Sequence, residues 1–206
     1  MGQSLIGAPP RAGVLVVPGN RITEEYIPNT CAALALAGYA VLAPNLFYLQ
    51  KPGQVRLEGR SDGEFIRDLV AGPEFLRVAH HIGSPLGLVG FCFGGRMALL
   101  FANAHPGLTG AVVAYHPGQT RAEEIRGLRA PVEIHIGRAD RDVPAEQVRT
   151  LEADIKARGV QVETNWYAGA DHGFLAYTRP TYQPDAAALS WKRTIEFLAQ
   201  NLRATT

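Results

Sequence analysis

The 206-residue chain has little cysteine, almost no net charge and no long apolar run, and each shortage removes a class of protein. With only two cysteines, Cys31 and Cys92, a disulfide framework is excluded and each thiol needs its own explanation. A formal net charge of +1, from 20 basic and 19 acidic residues, lacks the basic excess that a nucleic-acid binder sets against phosphates. No stretch approaches the roughly 20 consecutive apolar residues that span a bilayer. The start, "MGQSLIGAPPRAG", has neither the basic beginning nor the apolar centre of a signal peptide, so no membrane partner and a cytoplasmic address are expected. What is present is 47% hydrophobic residues, enough to fill one core, so a single domain over 1–206 is expected, as a monomer or homodimer acting on a small molecule.

Short β-rich runs recur: "GVLVVPG" (13–19), "YAVLAPNL" (39–46), "LGLVGF" (86–91), "GAVVAYHPG" (110–118), "VEIHIG" (132–137) and "VETNWYAG" (162–169). Several are apolar almost throughout, as strands covered on both faces are. Between them, helical spacing predicts helices near 23–37, 62–82, 94–105, 120–128, 144–158 and 185–202. Strands alternating with helices imply a mostly parallel central sheet with helices on both faces, an α/β fold. The irregular segment 47–63, with Pro, Gly and three cationic residues, reads as a surface excursion near a ligand.

The segment "LVGFCFGGRM" (88–97) places Cys92 at the corner between a strand and a helix. In a Gly-x-nucleophile-x-Gly elbow the chain turns so sharply that the central side chain projects from the top of the sheet. Gly90 and Gly94 supply the flanks, where a Cβ would meet the neighbouring backbone. The start of the next helix favours a thiolate there. The alternative reading is that Cys92 is a small buried hydrophobe and the glycines simply pack a βα corner.

Such a nucleophile is followed along the chain by an acid and then a histidine. Asp140, three residues after Gly137 at the end of a strand, is the first choice of acid; Asp142 is the alternative, although near Pro144 it suits a helix start. His172, in the Gly-rich loop of "YAGADHGFLAY", is the base. His80 and His81 end a helix and read as solvated, His135 within a strand reads as hydrogen-bonded core, and His116 ends a strand where it can line the pocket. Cys31 reads as helix core. Phe47, Tyr48, Phe91 and Phe93 read equally as pocket wall or core.

Together, "VVPGN", "GYAVLAPNLF", the Gly-x-Cys-x-Gly-Gly elbow, "HIGRADRDVP", "ADHGF" and "AAALSWKRTIEFL" resemble the dienelactone hydrolase family of the α/β-hydrolase superfamily. The resemblance implies an α/β-hydrolase fold, a Cys92–Asp140–His172 triad, and an oxyanion hole from the N–H of Phe93 and a donor after the first strand, Asn20. It implies hydrolysis of a small ester or lactone through a thioester on Cys92, with neither metal nor organic cofactor. Two positions depart from the family pattern. Gly19 stands where members carry a Glu facing the thiol. Ala176 stands where they carry an Arg for the substrate carboxylate; Arg179, Arg56 and Arg60 are the nearest cations, with Arg179 the expected contact. Another acyl substrate (thioester, acetylated sugar or peptide) is the alternative, as is a non-catalytic ligand-binding or thiol-redox protein on the same fold.

Overall fold

The computed structural model describes residues 10–19, 26–48, 59–83 and 85–202. Six strands, β1 (Gly13–Val17), β2 (Ala40–Leu42), β3 (Leu86–Phe91), β4 (Thr109–Tyr115), β5 (Val132–Gly137) and β6 (Val162–Tyr167), pair in the order β2-β1-β3-β4-β5-β6. Every pairing is parallel. Five helices connect or follow them: α1 (Tyr26–Leu36), α2 (Asp62–His80), α3 (Phe93–Ala104), α4 (Ala145–Ala157) and α5 (Pro184–Asn201).

The period of two along each strand sorts side chains to opposite faces. Leu15, Val17, Leu88, Val112, Ala114, Ile134 and Ile136 face one apolar cluster with α2, α3 and α4. Val14, Val16, Val89, Phe91, Val113 and Tyr115 face the other, with α1 and α5. Both faces of the sheet are thus covered, which explains the unbroken apolar character of β1, β3 and β4.

Two expected elements come out much shorter. The run at 39–46 yields only Ala40–Leu42, an edge strand that pairs with β1 alone before Pro44 ends the ladder. The helix expected at 120–128 is a single 3₁₀ turn, Ala122–Ile125. Gly127 stops it: its N–H is held by the Asn103 side chain at 2.6 Å, and its backbone lies so close to Asn103 that a Cβ would not fit. Pro144 caps α4 rather than opening it. Among the described helices, none is long and apolar enough to cross a membrane.

Strand order places the thiol. After β1 the chain moves outward to β2, then returns past β1 to β3, so the carboxyl ends of β1 and β3 lie on either side of a topological switch point. Gly19 follows the first of these ends and Cys92 the second.

Candidate active site

The β3–α3 corner follows from its glycines. A Cβ on Gly90 would overlap the Gly94 carbonyl, and one on Gly94 would overlap the Val17 carbonyl. The corner can therefore close only with hydrogens at these positions, and it forces Cys92 to φ 53° and ψ −117°. This is a left-handed conformation that L residues avoid, at a cost of order 1–3 kcal/mol. The Cys92 N–H donates to the Tyr115 carbonyl at 3.0 Å, tying the elbow to β4. Arg96, one turn into α3, bonds Asp62 (2.8 Å) and Glu124 (2.7 Å) and anchors the helix from its outer side.

Asp140 and His172 converge from the ends of β5 and β6. The Asp140 side chain is 1% exposed, and its Oδ1 accepts N–H bonds from Asp142 (2.9 Å) and Val143 (2.8 Å). This turn fixes the carboxylate before any substrate arrives. Asp140 Oδ2 lies 3.0 Å from His172 Nδ1, which leaves Nε2 for the thiol side. Asp142 is 72% exposed and 3.9 Å from the same nitrogen, so Asp140 holds the ring. The His172 backbone is itself held, its N–H donating to Asp171 Oδ1 at 2.7 Å. Burial disfavours the imidazolium, but hydrogen bonds to Asp140 and Cys92 and their charges outweigh it and raise the His172 pKa to about 10.

A second imidazole completes the centre. His116, 4% exposed and at φ 35°, lies 4.2 Å from the His172 ring centroid, and its Nδ1 is buried without a hydrogen-bond partner. Burial, and then the neighbouring charge of His172, press its pKa well below the ordinary value, so it remains neutral. Cys92, His116 and His172 each offer a ligand atom, all within 4.8 Å of one another. A sulfur with two imidazoles suits a borderline cation such as zinc, and the same atoms suit acyl transfer.

A cavity of about 30 Å³ opens between Gly19, Phe91, Cys92, His116, His172 and Arg179. A Cβ on Gly19 would stand 3.5 Å from the Cys92 Cβ, so this position does face the Cys92 side chain. Phe93 opens α3, where first-turn N–H groups have no intrahelical acceptor; Asn20 and Arg56 lie outside the described residues. Phe47 is 4% exposed and packs on Phe65 and Phe93 in the core instead of lining this cavity. Arg60 is committed to Asp68 and the Leu46 carbonyl. His135 is a fully buried core residue bonded to Glu133 and Tyr167, whereas Cys31 is only half-buried in α1. Tyr26 and Leu175 also line the cavity. Neither carries reactive chemistry that would single it out in the sequence, although Leu175 follows His172 by three residues.

The fold and the elbow are those of an α/β hydrolase. The sequence profile of the dienelactone hydrolase family matches residues 4–202, and the chain belongs to this family of carboxylic ester and lactone hydrolases. It is 35% identical to a carboxymethylenebutenolidase of Rhodococcus opacus over 86% of the chain and 76% of that protein. It is 28% identical to that of Pseudomonas putida over 95% and 90%. A Klebsiella pneumoniae crystal structure provisionally assigned to dienelactone hydrolase superposes with a TM-score of 0.84 at 27% identity, covering 94% of this chain and 89% of that one.

Proposed function

We propose that the protein hydrolyses a small ester or lactone through a thioester on Cys92, with His172 as base and acid and Asp140 as its orienting carboxylate. The observation that carries this reading is the chain of contacts from the buried Asp140 through His172 Nδ1 to a thiol on a strained elbow. With Nδ1 committed to Asp140, the other ring nitrogen exchanges a proton with the thiol side and then with the leaving group.

In the first half-reaction the Cys92 sulfur attacks the carbonyl carbon, and the oxyanion is held by the Phe93 N–H and a second donor, Asn20. Removing one such donor typically costs about 2.7–4 kcal/mol of transition-state stabilisation. The C–O bond breaks as the His172 imidazolium gives its proton to the alkoxide. In the second, water loses a proton to neutral His172 and attacks the thioester, releasing the acid and the Cys92 sulfur. His116, neutral and with a buried nitrogen at the cavity wall, contacts the substrate, as do Phe91 and Arg179. Arg179 is the cation placed to meet a substrate carboxylate, in place of the arginine that the family carries where Ala176 stands.

The test is an assay of Cys92→Ala and His172→Ala on a 4-nitrophenyl ester, with intact-mass detection of an acyl adduct. Both variants should lose at least about 10²-fold in kcat, and the wild type should show an adduct on Cys92 that forms and decays. Full activity in either folded variant would remove the triad.

A further inference from the structure

The cavity over Cys92, at about 30 Å³, is roughly a tenth of either groove beside it, so most of an ester would lie outside it. Two larger grooves leave this point, and they differ in chemistry.

The first, about 290 Å³, shares Tyr26 and Leu175 with the catalytic cavity and runs between α1 and α5. Its walls include Ala33, Tyr177, Tyr182 and Trp191, and among the described residues lining it none is charged. The second, about 310 Å³, shares His172 and Arg179 with the cavity and is lined by Arg141, Asp142 and Asp171. One route away from the thiol is aromatic and the other is ionic.

The aromatic groove is a built feature. A succession of turns fixes the loop from His172 to α5: Ala176 N–H to Gly173 O, Arg179 N–H to Ala176 O and Tyr182 N–H to Arg179 O, at 2.9–3.0 Å. Asn29 of α1 donates to the Tyr177 hydroxyl at 3.1 Å, joining the two sides. Tyr26, the shared wall, packs edge-on to Phe91 at 5.3 Å, next to the nucleophile. Yet Tyr177 is 44% and Tyr182 39% exposed, so rings held in place still present faces to solvent. Such rings offer large contact area at low entropic cost, and binding energy gained far from the reacting carbon can be used to orient it.

We propose that this groove is the subsite for an aromatic or similarly flat apolar part of the substrate, so that the preferred ester or lactone joins a ring system to the scissile carbonyl. The proposal rests on the hydrolase reading for the position of the carbonyl, but not for the binding of the ring.

Binding is read in the inert Cys92→Ala protein by following the two indole N–H resonances, assigned with Trp166→Phe. Trp166 packs with Arg138 and Arg149 on the opposite face of the sheet and serves as the internal control. Titration with methyl 2-naphthoate or 2-naphthyl acetate should shift the Trp191 signal and leave Trp166 in place, while methyl acetate should move neither. Turnover is read as the ratio of kcat/KM for the better naphthyl ester to that for methyl acetate. Trp191→Ala should lower this ratio roughly tenfold or more, the scale of discrimination available to an apolar pocket. Tyr182→Ala, at an exposed position, guards against a folding defect and should lower it in the same direction. An unmoved Trp191 signal together with an unchanged ratio in both variants would overturn the subsite. A Trp191 shift in a protein that turns over no ester would keep the subsite and overturn the hydrolase reading.

Discussion

At the scale of single residues, the site depends on a buried carboxylate that is fully occupied before substrate binds. Asp140 accepts two backbone N–H groups and faces His172, so replacing it by Asn keeps the shape and removes the charge. Asp140→Asn should lower kcat by about 10²–10⁴-fold and move the His172 titration downward from about 10, because Asp140 is foremost among the influences that raise it. The imidazole C–H resonance of His172 against pH checks the second part. The sign at alkaline pH follows from the same group. A raised pKa keeps His172 as an imidazolium at neutral pH, and that charge is lost as pH rises through about 10; the proposed mechanism uses it as the proton donor. A methyl ester, whose alkoxide needs that proton, should show kcat/KM falling through that range. A 4-nitrophenyl ester should fall much less, and parallel profiles for the two would remove His172 as the acid.

At the scale of elements, the corner from β3 into α3 concentrates the steric demand. Gly94 has the Val17 and Pro18 carbonyls where a Cβ would sit, and backbone cannot yield as a side chain end can. Gly94→Ala should therefore cost about 3 kcal/mol of unfolding free energy, the upper part of the range for overpacking, whereas Gly107→Ala, facing open space, should cost little. Urea unfolding of both variants measures the difference. The corner was legible in the sequence because its glycines and cysteine lie within five residues, and the Asp140–His172 pairing was legible because each residue follows a strand run. The edge strand at 40–42 and the single turn at 122–125 were not, because their lengths depend on Pro44 and on the Asn103 contact to Gly127. Phe47 shows the same limit: an aromatic near the site reads as wall until packing on Phe65 and Phe93 assigns it to the core. Tyr26 and Trp191 meet only when α1 and α5 cover the same face of the sheet, so the aromatic groove has no local signature.

At the scale of the whole molecule, the sheet face under α5 carries an aromatic and polar layer instead of a purely aliphatic one. Phe91, Tyr115 and His135 are register partners on β3, β4 and β5, and their rings stack at 5.0 and 4.4 Å directly below the elbow. His135 also bonds Glu133, Tyr167 and Thr194, so the layer is satisfied only with that imidazole in place. Burial depresses the pKa of His135 despite Glu133, and it depresses that of His116 further. Both take up a proton less readily when folded than when unfolded, so the unfolded chain binds more protons below its ordinary histidine value of about 6.5. Stability contributed by these two groups is therefore present above that pH and lost as pH falls below it, with each histidine adding about 1.4 kcal/mol per pH unit to the slope. Unfolding free energies from pH 7 down to pH 5 should decline, and His116→Gln should flatten the decline by about one such increment, whatever its effect on absolute stability. His135→Gln should flatten it similarly, and a slope unchanged in both variants would mean that the folded protein already carries those protons.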